Sequence, residues 1–146
     1  MAFEETPPEV RLEGVPAALF IESQNHQHDL LREFALMDIG NRWSLTERDL
    51  PQRVAELIGE ILQDYAEVRM VTRRQALDAL SRGDDTVTLR VPVKPGIVDA
   101  LHRWLQLVET ADAFCEQGVL LTLAAKPEVR RLRRWYVQAI AERLRR

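Results

Sequence analysis

The sequence predicts an all-α domain, an irregular bundle of four to five helices with one extended strap at residues 86–93. Three observations predict it. Apolar residues recur at helical spacing through several long stretches, each bounded by Gly, Pro or Asp signals. A single stretch alternates with a period of two. At 146 residues, 46% hydrophobic and 29% charged, the chain has the size and balance that bury one core behind wet helical faces.

Residues 1–16 hold Pro7, Pro8 and Pro16 and few large apolar side chains beyond Phe3, Val10, Leu12 and Val15. That composition reads as an extended arm ahead of a single helical domain at 17–146. From Ala17 to about Ile39, Phe20, Leu30, Leu31, Phe34 and Met37 share one helical face, and Gly40-Asn41 ends the helix. Arg42 to Leu50 is a connector in which Ser44 and Glu47 have capping-box spacing. Asp49-Leu50-Pro51 starts a second helix, with a stripe of Val54, Leu57, Ile58, Ile61, Leu62 and Tyr65. Val68 to Ser81 either continues that helix or begins another, and Arg82-Gly83-Asp84-Asp85 stops it.

In the strap, Val87, Leu89, Val91 and Val93 alternate with Thr86, Thr88, Arg90 and Pro92. Pro92 lacks an N–H, which confines the segment to an edge. No second stretch of comparable quality is present, so the strap is expected to lie across helices or to pair with a copy of itself. Pro95-Gly96 opens a helix to about Gln117, with Val98, Leu101, Trp104, Leu105, Val108, Ala111 and Cys115 mostly on one side and Phe114 at the margin. Asp112 falls roughly 50° from the centre of that stripe. It sits either at a wet helix end, the commoner case, or inside as an acid that needs a partner. After Gly118 and the apolar turn Val119 to Leu123, Pro127 starts a last helix carrying Val129, Leu132, Trp135, Tyr136, Ile140 and Leu144.

Several function classes drop out. The lone Cys115 cannot form an intrachain disulfide and fits a reducing compartment. No apolar run approaches the ~20 residues of a membrane span. The acidic start MAFEETPPEV lacks the features of a signal peptide, so a cytoplasmic protein is expected. The six glycines are scattered singly, without a phosphate-cradling loop, and no Gly-x-Ser-x-Gly elbow occurs. His26 and His28 lie two apart, about 200° around a helix, and His102 is remote, so no metal site is expected. Cys115 on an apolar face reads as packed rather than reactive. The chain is therefore expected not to be an enzyme and to need no cofactor.

Three constellations remain. His28 and Asp29 fall about 130° from the buried face of the first helix, with Arg32 one turn on. An exposed histidine beside a carboxylate is a candidate phosphoacceptor, because the acid orients the imidazole and raises its basicity. A surface histidine on an amphipathic helix is the plainer reading. Phe20, Ser23 and Gln27 extend the same buried face backwards as a polar seam, which suits a subunit interface or a ligand pocket. Arg130, Arg131, Arg133 and Arg134, beside Trp135 and Tyr136, have the composition of a nucleic-acid patch. The chain as a whole is acidic, at net −3. Its charge is divided: 14 acids against 5 bases in residues 1–68, and 9 against 15 in residues 69–146. Such a chain can pair its ends within one fold or across a homodimer.

Two segments carry a family likeness. One is Val15-Pro16-Ala17-Ala18-Leu19-Phe20, running on to His28-Asp29-Leu30-Leu31-Arg32-Glu33-Phe34. The other is Leu120-Leu121-Thr122-Leu123-Ala124, followed by Pro127-Glu128-Val129 and Arg134-Trp135-Tyr136. Together they resemble a helical region, over residues 15–137, of actinobacterial regulatory proteins associated with histidine-kinase-like ATPases of the anti-sigma-factor type. The chain departs from them in lacking the ATPase portion. The resemblance implies a regulatory or adaptor domain whose partner is such an ATPase or an anti-sigma module, and it carries over no catalytic residue. The expected function is a non-catalytic signalling adaptor in a stress or sigma-factor circuit. A histidine-phosphotransfer protein using His28 comes second, and a nucleic-acid-binding regulator third.

Overall fold

The computed structural model describes residues 8–40, 49–118 and 120–145. The order is β1 (Glu9–Pro16), α1 (Ala17–Gly40), α2 (Asp49–Asp64), α3 (Ala66–Ser81), β2 (Thr86–Pro92), α4 (Ile97–Glu116) and α5 (Pro127–Leu144). The protein is mostly helical, as its periodicity predicts, with a small antiparallel sheet that an all-α reading omits. The capping-box pair Ser44 and Glu47 and the side chain of Met37 lie outside the described residues. Among those residues no helix is long and apolar enough to cross a membrane.

The strap does not lie bare or wait for a second copy. Val91, Arg90 and Leu89 pair with Val10, Arg11 and Leu12 of the N-terminal arm, and Val87 pairs with Val15. Between Leu12 and Val15 the first strand advances three residues while its partner advances two, which is a β-bulge. Gly14 occupies it at φ +71°, where an added Cβ would meet nothing, so the backbone conformation and not crowding requires glycine. The bulge resets the alternation, and Val10, Leu12 and Val15 all turn inward with Val87, Leu89 and Val91. Both outer edges are occupied at the central pair. The Gln75 carboxamide accepts from Arg90 N–H at 2.8 Å and donates to Arg90 C=O at 3.2 Å, and Arg143 donates to Arg11 C=O at 3.0 Å.

The helix between Asp49 and Ser81 breaks at Tyr65. Lys94 Nζ lies 5.2 Å from the Tyr65 ring centroid and donates to Asp64 C=O at 2.7 Å, tying the break to the turn before α4. At the end of α3, Gly83 N–H donates to Leu80 C=O and Asp84 N–H to Ala79 C=O, a Schellman pair that the +79° φ of Gly83 permits.

Two apolar cores result. The first joins the inward faces of both strands to Phe20, Ala76, Ala79, Leu132 and Ile140. The second joins Leu30 and Phe34 of α1 to Val54, Ala55 and Ile58 of α2, Val108 and Ala111 of α4, and Leu120. Helix α1, 24 residues long, runs through both. Its residues between Phe20 and Leu30 lie at the junction, and there the sequence turns polar.

Candidate functional site

At the junction the helices leave a half-enclosed hollow of about 100 Å³. Its wall divides by chemistry. Helices α2 and α4 contribute Ile61, Leu62, Ile97, Leu101 and Trp104, while α1 and α3 contribute Ser23, Gln24, Gln27, Arg69 and Thr72. Phe20, Tyr65, Val68, Ala100, Leu132, Arg133 and Tyr136 complete it. The three seam residues Phe20, Ser23 and Gln27 thus share one wall. Gln27 is only 5% exposed, and its side-chain oxygen accepts from the Trp104 indole N–H. The Thr72 hydroxyl donates to Val68 C=O at 2.8 Å. Burial raises the Tyr136 phenol above its usual value.

Beside the hollow lies a buried ionic centre. Asp112 is 1% exposed and Arg133 2%, and their Nη1–Oδ2 distance is 2.7 Å. The wet-end expectation for Asp112 is therefore corrected. Asp112 faces the Ala125 N–H of the turn before α5 and the Arg133 guanidinium of α5, and the buried carboxylate needs that cation. Burial holds the Arg133 guanidinium below its usual range despite the Asp112 charge beside it. Arg133 Nη2 also reaches His26 Nδ1 at 2.9 Å, and His26 Nε2 reaches Leu123 C=O at 2.7 Å. One tautomer satisfies both contacts, with Nε2–H donating to the carbonyl and Nδ1 accepting from arginine.

Helices α1 and α4 together clamp the turn that precedes α5. Asp112 Oδ1 accepts from Ala125 N–H at 3.0 Å. Glu33 accepts from Leu121 N–H at 2.5 Å, from Thr122 N–H at 2.6 Å and from the Thr122 hydroxyl at 2.5 Å. Burial alone raises the Glu33 carboxyl, but the Thr122 hydroxyl and the two amides outweigh it and leave it below its ordinary value. Lys126 and Glu22 pair at 2.9 Å. The turn so held keeps Leu120 inside and carries Leu121 and Leu123 at 92% and 83% exposure, with Leu36 of α1 on the rim of the same surface depression.

The other singled-out residues separate. His28, Asp29 and Arg32 are all exposed on α1. The four arginines do not form one patch. Arg133 is inside, Arg130 pairs with Glu116 at 2.6 Å, and Arg134 pairs with Glu109 at 2.7 Å. Arg131 lies 3.9 Å from Glu128. Trp135, expected on the buried face of α5, is 41% exposed, because that face is turned to include Arg133, Val137 and Ala141. Cys115 is half-buried, and burial, with the charges of Asp112 and Glu33, pushes its thiol up to about 11, which disfavours the thiolate. Among the described residues no group of three or more His, Cys, Asp or Glu side chains could hold a metal ion.

Sequence reasoning passed over His26, Glu33 and Trp104 as functional partners. Only Asp112 left a trace, as an acid near an apolar stripe. Comparison with protein-family models, with curated proteins and with solved structures gives no match.

Proposed function

We propose that this chain is a non-catalytic regulatory domain that acts by binding other proteins. The observation that supports this reading is the clamped turn. Five hydrogen bonds from α1 and α4 side chains fix residues 121–125, yet two leucines there face solvent. Each forgoes about 1.5–3 kcal/mol that burial of a leucine would return. A rigid turn holding apolar side chains outward is suited to a partner's groove, where little ordering entropy remains to be lost on binding. The resemblance in residues 15–137 suggests a histidine-kinase-like ATPase or anti-sigma module as that partner, in a cytoplasmic setting. A homodimer is the self-pairing form of the same proposal.

The test uses the Leu121→Asp, Leu123→Asp double variant against the native chain, each immobilised and exposed to such an ATPase purified from the same source. Both side chains are exposed, so the variant should keep its thermal midpoint and lose the interaction. Equal retention of the ATPase by both forms, or by neither, sinks the proposal. Sedimentation of the two forms measures the dimer.

Exposure of His28 beside Asp29 supports a second reading, phosphotransfer. It expects acid-labile label on the native chain from a cognate kinase and none on His28→Gln; labelling that survives the substitution removes it. Against the nucleic-acid reading stand the burial of Arg133 and the pairing of Arg130 and Arg134 with acids.

A further inference from the structure

The two-stranded sheet has one guarded edge and one open edge. Val93 N–H donates to Pro8 C=O at 2.9 Å, which sets the phase of the ladder. Val10 and Leu12 bond across to Val91 and Leu89, so Glu9 and Arg11 turn their N–H and C=O groups away from β2. The same phase turns Arg90 outward on the other strand, and there Gln75 of α3 meets both its N–H and its C=O. On β1 the exposed Arg143 meets only Arg11 C=O. The Arg11 N–H and both groups of Glu9 have no partner among the described residues. Such an edge is a template for a further strand.

The side chains along the edge select the strand. Glu9, Arg11 and Glu13 are all exposed and alternate in sign. A row of one sign would repel a copy of itself, which is a common way of blunting an edge. Alternating signs do the opposite. With a second β1 laid antiparallel, Val10 faces Val10, Arg11 faces Glu9 of the copy, and the two-fold axis repeats that favourable pair. Within the chain, Arg11 stands directly opposite Arg90, in the narrow kind of pair whose Cα atoms lie about 4.5 Å apart. Among the described residues neither arginine is in an ion pair. A second strand brings a carboxylate to this like-charged pair.

We propose that two copies of this chain join edge to edge along residues 9–11 of β1, antiparallel about Val10, so that their sheets become one. Arg143 leaves the Arg11 carbonyl when Glu9 N–H of the second copy takes its place. This surface is separate from the clamped turn, and the proposal does not rest on the reading of that turn. The main-chain bonds involved are few, and a contact of this size is weak and reversible.

Sedimentation equilibrium of the whole chain at low salt, from about 10 µM to about 1 mM, reads the association, and amide hydrogen exchange locates it. The expected result is a reversible dimer in which the Glu9 and Arg11 amides exchange more slowly as concentration rises. Arg11→Glu sets like charges against each other twice across the axis and should weaken the dimer at least about fivefold. It also gives Arg90 an acid to face, so the thermal midpoint should not fall, which separates association from folding. Glu9→Arg together with Arg11→Glu inverts the row and should restore the dimer. Arg143→Ala frees the Arg11 carbonyl and should tighten it. A clean monomer at about 1 mM overturns the proposal, as does a dimer whose Glu9 and Arg11 amides exchange as fast as in the monomer. Indifference to Arg11→Glu, no recovery in the inverted row, or a weaker dimer in Arg143→Ala overturns it too. Loss of the dimer in Leu121→Asp, Leu123→Asp would move the self-contact to the clamped turn and overturn it while leaving the reading of that turn in place.

Discussion

Asp112→Asn and Arg133→Met break the same ion pair from opposite sides, and the structure says that their costs are unequal. In Asp112→Asn the side-chain oxygen still accepts from Ala125 N–H, which lies 3.0 Å from the native carboxylate. Its amide nitrogen is then left facing Arg133 Nη1, where the carboxylate stood at 2.7 Å. Arg133 becomes a buried cation without a counter-ion, and Arg130, with Nε 3.7 Å from Asp112, adds a like charge nearby. Stranding one member of a buried pair costs about 3–5 kcal/mol. Against a total of about 5–15 kcal/mol for a domain, that is about a fifth or more of the stability. At about 2–4 °C per kcal/mol for a chain of this size, the thermal midpoint falls by roughly 10 °C. Arg133→Met strands much less. Asp112 keeps Ala125 and has Arg130 within reach, and His26, with 14% of its side chain exposed, can take a water at Nδ1. Its expected cost is about 1–2 kcal/mol. The double variant has neither charge and should lie within about 1 kcal/mol of Arg133→Met. Urea unfolding at neutral pH, followed by tryptophan fluorescence and far-UV circular dichroism, measures all four corners of the cycle. Equal costs for the two single variants, or a double variant as unstable as their sum, would refute the argument.

Glu33→Gln tests the outer clamp and carries a pH signature. The folded carboxyl lies below its ordinary value, so the stability it adds is present above about pH 4.3 and is lost as pH falls through the lower folded value. Because Glu33 is partly exposed, the expected loss at pH 7 is only about 1–2 kcal/mol, and it shrinks as pH falls below about 4.3; a difference in thermal midpoint that stays constant from pH 7 into that acid range contradicts the clamp. Gly83→Ala should cost about 1–2 kcal/mol from the left-handed backbone alone, since a Cβ there meets nothing. Gly83→Asn should cost less, and equal losses in the urea midpoint for the two would point to some other cause.

What the sequence made legible follows from which interactions are local. Helix α2 and helix α4 announce themselves because each buries a continuous stripe, and the residues that stop α3 at Gly83 are adjacent in the chain. Strand β1 was hidden because its bulge at Gly14 shifts the alternation by one residue, so that Val10, Leu12 and Val15 never form a run of period two. Its partner lies more than 70 residues away. Arg133 was misplaced for a related reason. In a run of arginines nothing local distinguishes the one that faces inward, and the distinction is made by Asp112, 21 residues earlier on another helix. Helical spacing groups Trp135 with Leu132 and Tyr136 on the buried face, but the turn of α5 that buries Arg133 carries it toward solvent. Glu33 gave no signal at all, because its partners are backbone amides, which every residue except proline supplies.

The polar seam of α1 now has a physical account. A helix that runs through two apolar cores must cross the space between them, and an apolar residue there would merge the cores and fill the hollow. Gln27 instead meets the Trp104 indole, Gln24 accepts from Arg73 at 3.2 Å, and His26 joins the Asp112–Arg133 pair. Each of these contacts ties α1 to a different helix: α4, α3 and α5. The seam therefore sets the spacing of the bundle by direction-specific bonds where apolar packing alone would allow sliding. His26 and Arg133 are members of both arrangements, since Arg133 lines the hollow while His26 holds Leu123 in the clamped turn. Arg133 Nη2 lies 2.9 Å from His26 Nδ1, and His26 Nε2 lies 2.7 Å from Leu123 C=O, so two side chains join the interior of the bundle to the turn that carries Leu121 and Leu123.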